Sequence, residues 1–181
     1  MSVSSLSASD DPNRVLFDFR DGGPGSEIRW KAVNDGVMGG LSRGGPKIQS
    51  NGRMLFSGRV SLENNGGFSS MRTEGARVDL SSSEGVVLRV KGDGRTYELR
   101  LSTGARFRSW EISYRVPFKT KKDQWVEVKI PFSSLIPSFR GRILKGPEFD
   151  PSDIRRLGVM IADKNSGPFS MEVDWIKAYG S

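Results

Sequence analysis

The prediction of the fold starts from the stretch WKAVNDGVMGGLS, which runs from Trp30 to Ser42. Asn34-Asp35-Gly36 can supply the positive φ of a tight turn, and residues that favour strands flank it on both sides. Gly39-Gly40 removes two side chains at a point where another backbone or a ligand comes close. Two interpretations stay open: a hairpin with a glycine bulge, or a recognition loop that presents Asp35 and Met38.

Outward from this stretch, apolar and polar residues alternate along most of the chain, which is typical of half-buried strands. The clearest pair of strands turns at Gly92-Asp93-Gly94, and a second hairpin is predicted around Asn64–Gly67. The inward residues of the first pair are Val86, Leu88, Val90, Tyr97, Leu99 and Leu101. The same alternation puts Leu62 on the buried side of the strand that begins at Met54. A further buried set comprises Trp110, Ile112, Tyr114 and Val116.

No segment shows a sustained 3.6-residue period, so long helices are not expected. Single helical turns are predicted at Pro131–Leu135 and Pro151–Arg155, with Ser152 as the cap of the second. Many short strands separated by glycine-rich turns predict an all-β sandwich or barrel. A chain of 181 residues without cysteine fits one domain that folds without disulfides. Residues 1–13 are predicted to be a disordered leader and residues 14–181 a single β-sandwich domain.

The chain contains neither histidine nor cysteine, which excludes Ser-His-Asp and Cys-His catalysis and zinc sites built from those residues. A calcium site at Asp18 or Asp174 is compatible with such folds, but solvated side chains are the favoured interpretation. Glu172 and Asp174 share one strand face, a spacing that arises wherever a wet face carries acids. We therefore predict a protein that is not an enzyme, with no metal and no cofactor.

The net charge of +7 is concentrated in one segment, since Arg106–Lys145 carries ten Lys or Arg against three acids. Such a segment could face phosphates, an acidic protein or an anionic membrane, and could equally be a solvated surface. Trp125 is the aromatic residue expected to point outward among these charges. The candidate basic and aromatic surface comprises Arg115, Lys119, Lys121, Lys122, Trp125 and Lys129.

The stretch Trp30–Ser42 resembles the signature of the thirty-kilodalton complex I intermediate-associated protein family. The resemblance continues in Leu62–Arg72 (LENNGGFSSMR), in Gly92–Tyr97 (GDGRTY) and in Phe169–Tyr179, and covers about residues 14–180. It implies a jelly-roll sandwich of the galactose-binding-like type. It also implies a non-enzymatic assembly factor for a membrane-bound energy-converting complex, such as respiratory complex I or a photosynthetic complex.

The leading hypothesis is therefore a binding module whose partners are protein subunits or assembly intermediates of a membrane complex. No apolar run approaches the ~20 residues of a membrane span, although peripheral membrane association is compatible with the sequence. The compartment stays open between an organelle and a bacterial cytoplasm. The alternatives are an RNA-binding factor in organellar gene expression and a carbohydrate-binding module that uses Trp125 or Asn64-Asn65. The candidate partner-binding residues are Trp30, Asn34, Asp35, Gly36, Met38, Gly39 and Gly40.

Overall fold

A computed structural model of the chain describes residues 4–5 and 10–181, and most of its regular structure is β-strand. The strands of this part of the chain are β1 Ser4–Ser5, β2 Val15–Asp18, β3 Arg29–Asn34, β4 Arg43–Ile48, β5 Met54–Val60, β6 Ser69–Glu74, β7 Ala76–Arg77, β8 Gly85–Lys91, β9 Thr96–Ser102, β10 Arg106–Phe107, β11 Trp110–Glu111, β12 Ser113–Lys119, β13 Trp125–Pro131, β14 Ile136–Phe139, β15 Arg142–Ile143, β16 Arg156–Ile161 and β17 Gly167–Tyr179. Short 3-10 helices occupy Asp35–Met38, Glu63–Asn65, Phe132–Ser134 and Pro151–Asp153.

Two antiparallel sheets form the body of the molecule. The seven-stranded sheet has the order β15-β14-β12-β9-β16-β6-β3. The six-stranded sheet has the order β13-β8-β17-β5-β4, and β2 also pairs with β17. Both sheets direct every second side chain into one shared core, so the predicted all-β sandwich is confirmed.

The predicted hairpins are wrong, because the turns in question carry the chain from one sheet to the other. Strand β3 belongs to the seven-stranded sheet and β4 to the six-stranded sheet, and the same change of sheet separates β5 from β6 and β8 from β9. The alternating pattern marks which side of a strand is buried, and strands of both sheets face the same core. The pattern therefore cannot identify a strand's neighbours. Consecutive strands do pair at β4 and β5, where residues 49–53 make the turn.

The predicted inward residues of β8 and β9 are confirmed, since all six are at most 1% exposed. In the next predicted set, Ile112 and Tyr114 are buried, but Trp110 is 54% exposed and Val116 only half-buried. Trp110 belongs to the small β10–β11 ribbon outside the main sheet, which breaks the alternation before β12 begins. Leu62, predicted to be inward, lies beyond the end of β5 and is 46% exposed.

Both predicted helical turns are present as 3-10 helices, but Ser152 is not the cap of the second. Asp150 caps it, because its carboxylate accepts a hydrogen bond from the Ser152 N–H at 2.9 Å. Of the predicted leader, residues 1–3 and 6–9 lie outside the described residues. Pro12 and Asn13 are hydrogen-bonded to Ser83 and Gly180 of the body. None of the helices described is long and apolar enough to cross a membrane.

Candidate functional site

Two of the connections that cross between the sheets, residues 35–42 and 61–68, are tied together by the carboxylate of Asp35. This side chain is completely buried. One oxygen accepts the Ser42 N–H at 2.9 Å, and the other accepts the N–H groups of Gly67 at 2.7 Å and Phe68 at 3.2 Å. Burial by itself would raise the pKa of Asp35, but hydrogen bonds from Ser42, Gly67 and Phe68 outweigh it and lower the pKa. Asp35 is therefore an ionised structural anchor.

The glycines of the two connections pack directly against this carboxylate. A Cβ on Gly40 would lie 2.4 Å from the Asp35 Cγ, and one on Gly66 would lie 2.6 Å from its Oδ2. Gly39 has the positive φ, +86°, that the sequence placed earlier in the Asn-Asp-Gly turn. A Cβ on Gly36 would contact nothing within 4 Å, and the Gly36 carbonyl accepts a hydrogen bond from the Gly39 N–H at 3.1 Å. In the Gly-Gly pair, Gly39 thus provides a backbone conformation with positive φ, and Gly40 allows the close approach to the Asp35 side chain.

Asn34 and Ser42 join neighbouring strands in the same region. The Asn34 amide donates to the Gly44 carbonyl at 3.0 Å and accepts from the Ser69 hydroxyl at 2.5 Å. The Ser42 hydroxyl donates to the Ser61 carbonyl at 3.2 Å and accepts the Ser61 N–H at 2.9 Å. These polar side chains are used within the domain, so the polar part of the predicted recognition loop holds the loop in place.

The outward part of the loop is apolar. Val37 is 77% exposed, Met38 63% and Leu41 50%, and Leu62 of the second connection is 46% exposed. We call these four side chains the apolar tip. Leu41 and Leu62 are the sequence neighbours of the hydrogen-bonded Ser42 and Ser61, so both connections contribute to the apolar tip. Met38 was predicted from the sequence to be presented by this loop, and the other three side chains were not. The available signal was the adjacent Val37-Met38 between glycines, which breaks the alternation of a half-buried strand.

Trp30 lies on the inner side of the sandwich, away from the apolar tip. Its ring packs edge-on against Phe17, with centroids 5.2 Å apart, and against Phe19 at 6.0 Å. Its indole Nε1 has no hydrogen-bond partner in the described part of the chain. One side of the ring lines a cleft of about 410 Å³ together with Ile28, Pro46 and other residues. Trp30 therefore contributes packing at this end of the core.

The candidate basic and aromatic surface is divided between the two sheets. Arg115 points outward from β12, where it pairs with Glu98 at 3.0 Å. Trp125 and Lys129 lie on β13 of the other sheet, and the Lys129 Nζ is 4.3 Å from the Tyr179 ring centroid. Lys119 is the last residue of β12, and Lys121 and Lys122 lie in the connection from β12 to β13. The structure therefore does not bring these residues together on one face.

Trp125 is surrounded by cations of its own sheet. The guanidinium carbons of Arg89 and Arg53 lie 4.7 and 4.9 Å from its ring centroid, and the Lys91 ammonium lies at 5.3 Å. Asp174 accepts from Arg89 at 2.9 Å and lies 3.5 Å from Arg53, which holds these cations near the ring. The Trp125 ring thus makes cation–π contacts within the molecule.

The acids considered for calcium or catalysis are ion-paired and not freely solvated. Asp18 pairs with Arg20 at 2.9 Å, and the hydrogen bond from Arg20 lowers the pKa of Asp18. Glu172 pairs with Lys91 at 3.3 Å, and Asp174 with Arg89 and Arg53. Across residues 10–181, no three or more Asp, Glu, His or Cys side chains are grouped to hold a metal ion.

A jelly-roll sandwich with these two sheets is the fold of carbohydrate-binding modules. The family 11 module of a cellulosomal cellulase from Clostridium thermocellum superposes with a TM-score of 0.67 over 93% of this chain and 95% of that chain, at 17% identity. A family 30 module from the same organism gives 0.55 over 93% and 98%, at 15% identity. At such identities the likeness establishes the fold alone, and it confirms the predicted jelly roll.

The family pattern described as Complex I intermediate-associated protein 30 matches residues 17–173, and this chain belongs to that family. The mitochondrial protein of that name from Drosophila melanogaster is 28% identical over 90% of this chain and 61% of its own length. The one from Mus musculus is 29% identical over 92% of this chain and 56% of its own length. The chain therefore spans about three-fifths of these relatives, and the predicted family is confirmed.

Proposed function

We propose that this chain is a protein-binding module that holds an assembly intermediate of a membrane-bound energy-converting complex through its apolar tip. Membership of the family and the names of the relatives from fly and mouse support the association with complex I. The observation that carries the proposal is the exposure of Val37, Met38 and Leu41 on a connection anchored by a buried carboxylate.

Exposed apolar side chains grouped on a rigid support are characteristic of protein interaction sites. Methionine adapts to varied apolar surfaces, which suits contact with a partner. Because Asp35, Gly40 and Ser42 already hold the loop, little conformational entropy is lost when a partner binds. The partners are subunits or assembly intermediates of the complex, met in solution or at the membrane surface. The proposal includes no catalytic step.

The geometry gives less support to RNA or sugar as the ligand. Both would need an aromatic face free for stacking, and Trp125 is flanked by Arg53, Arg89 and Lys91. The likeness to carbohydrate-binding modules concerns the fold alone.

The test is affinity capture from native mitochondrial or photosynthetic membranes with the tagged chain, followed by identification of the recovered subunits. The wild-type chain is expected to recover subunits of complex I or of a photosynthetic complex, with or without RNase. Met38→Asp should reduce recovery by at least about tenfold, because it places a charge in the apolar contact. Ile143→Asp is the matched control, since Ile143 is also 63% exposed but lies on β15.

Both variants should unfold within about 0.5 kcal/mol of the wild type, as is usual for exposed positions. Equal recovery by Met38→Asp and the wild type would contradict the role of the tip. Recovery that disappears after RNase treatment would favour RNA as the ligand.

A further inference from the structure

Four cationic residues and one glycine lie in a single line across the outer face of the seven-stranded sheet. In the register of the strands, Arg115 lies opposite Arg100, Arg100 opposite Gly158, Gly158 opposite Arg72 and Arg72 opposite Lys31. We call these residues the basic row. Five strands spaced about 4.8 Å apart extend this row over about 19 Å. The residues that alternate with it, including Leu99, Leu101 and Met71, are buried in the core, so the row faces outward.

Carboxylates neutralise the ends of the row but leave its centre charged. Glu98 pairs with Arg100 at 2.8 Å and with Arg115 at 3.0 Å, and Glu74 pairs with Lys31 at 2.8 Å. Within residues 10–181, Arg72 has no carboxylate within ion-pair distance, and its buried Nε has no hydrogen-bond partner. An arginine side chain stays ionised in proteins, so this charge is not removed by deprotonation. A half-buried cation without a partner is the kind of group that an external anion satisfies.

The electrostatic environment of Arg72 also favours an added anion. Burial lowers the pKa of Arg72, and repulsion from Arg156 lowers it further, in keeping with a cation that has no carboxylate within ion-pair distance among residues 10–181. The carboxylates of Glu111 and Glu74 act in the opposite direction but do not offset these effects.

Gly158 leaves a gap in the row beside Arg72. A Cβ at this position would lie 2.8 Å from the Met71 carbonyl oxygen and 3.1 Å from the Arg72 Cβ, so the close pairing of β16 and β6 requires glycine. A consequence is that β16 itself contributes no side chain between Arg100 and Arg72 in the register of the sheet.

We propose that the basic row binds an extended acidic segment of a protein partner, with one carboxylate over Gly158 beside Arg72. About 19 Å accommodates roughly six residues of extended chain, of which three direct side chains to the same face. The row contains no aromatic residue for base stacking, which disfavours single-stranded RNA. Glu98 and Glu74 interrupt the positive charge, which suits separate carboxylates better than a continuous anionic surface. The assignment to a protein ligand rests on the proposed function, whereas the apolar tip consists of different residues.

The test uses a fluorescein-labelled peptide with the alternating core Ala-Glu-Ala-Glu-Ala-Glu, titrated with the full chain and followed by fluorescence anisotropy at low and at near-physiological salt. Saturable binding that weakens with salt is expected. Arg72→Gln should weaken it about tenfold, the usual loss when one charge-assisted hydrogen bond is removed. Lys122→Gln removes the same charge from the β12–β13 connection and should change the affinity by less than about twofold.

Arg100→Gln is the second variant, which keeps the test valid if Arg72→Gln does not fold, and it should also weaken binding. Met38→Asp should bind the peptide as the wild type does, so that failure of the tip and failure of the row are distinguishable. Absence of saturable binding, or equal weakening by Arg72→Gln and Lys122→Gln, would overturn the proposal. Preferential binding to phosphatidylserine vesicles or to poly(U) would overturn the assignment to an acidic protein segment.

Discussion

A fully buried carboxylate is stable only when hydrogen bonds replace the water that it has lost. Asp35 receives these bonds from the backbone of Ser42, Gly67 and Phe68, which belong to two separate connections. Gly40 and Gly66 pack against Asp35, and any side chain at either position would occupy the space that the carboxylate needs. At this scale, much of the long motif Trp30–Ser42 is explained by one anchoring side chain.

We expect Asp35→Asn to lower the free energy of unfolding by about 2–3 kcal/mol. The substitution replaces an acceptor by an amide NH₂, which would face backbone N–H donors and leave at least one of them unsatisfied. Urea denaturation followed by tryptophan fluorescence measures the change. Asp123→Asn is the matched control, because Asp123 is exposed and asparagine tolerates its positive φ. A loss no larger than that of the control would show that Asp35 is not an anchor.

At the scale of elements, Arg95 links two further connections. Its guanidinium pairs with both carboxylate oxygens of Asp163, at 2.6 and 2.9 Å, and donates to the carbonyls of Asn165, Gly167 and Pro168. The β8–β9 connection is thereby joined to the β16–β17 connection. The hydrogen bond that Arg95 donates to Asp163 has the largest influence and raises the pKa of Arg95. Arg95 follows the predicted turn Gly92-Asp93-Gly94, so the turn residues and the clamp are adjacent in sequence.

Arg95→Lys should destabilise the domain by about 2 kcal/mol although it preserves the charge. A lysine ammonium offers one compact group of donors and cannot reproduce the planar, bidentate pairing with Asp163 together with the carbonyl contacts. Chemical denaturation of the variant beside Arg43→Lys, at an exposed site on β4, tests this expectation. Similar stability for both variants would mean that the clamp contributes only its charge.

At the scale of the whole molecule, three carboxylates with lowered pKa values connect the stability of the domain to pH. Hydrogen bonds from Arg155 and Arg77 lower the pKa of Asp153 to about 2. Burial opposes ionisation of Asp35 and Asp163, but hydrogen bonds outweigh it and lower the pKa of both. Each group binds protons less readily when folded than when unfolded. Its contribution is therefore present above the unfolded pKa of about 3.9 and is lost as the pH falls through the folded value.

The free energy of unfolding should consequently be steady near pH 7 and decrease as the pH falls from about 5 towards 2. Urea titrations at a series of pH values measure the slope. Asp153→Asn should give a shallower slope in this range, because it removes a carboxylate that, between its folded and unfolded pKa values, is ionised in the folded state and protonated in the unfolded state. The Asp123→Asn control should retain the wild-type slope. A steeper decrease of the free energy of unfolding with falling pH in Asp153→Asn would contradict the lowered pKa of Asp153.

The apolar tip and the basic row differ in how far they could be predicted from the sequence. Met38 could be identified because it stands between glycines, and the excess of Lys and Arg over acids between Arg106 and Lys145 could be counted directly in the sequence. The basic row could not be identified, because its four cations come from four separate strands and one of them, Lys31, lies within the Trp30–Ser42 stretch itself. The charge of a segment does not determine which side chains meet across a sheet.

The sequence by itself determined the class of fold, the buried side of strands such as β8 and β9, and the family, because alternation and turn residues are local properties of the chain. It did not determine which strands pair. The tertiary structure decided that three apparent hairpins, at residues 35–42, 61–68 and 92–95, are passages between sheets. It also decided that Asp35 is an anchor, that Trp125 is surrounded by cations and that Arg72 has no ion pair among residues 10–181. The physical reason is that two facing sheets share one core, so burial follows from the local pattern, whereas neighbours follow from long-range packing.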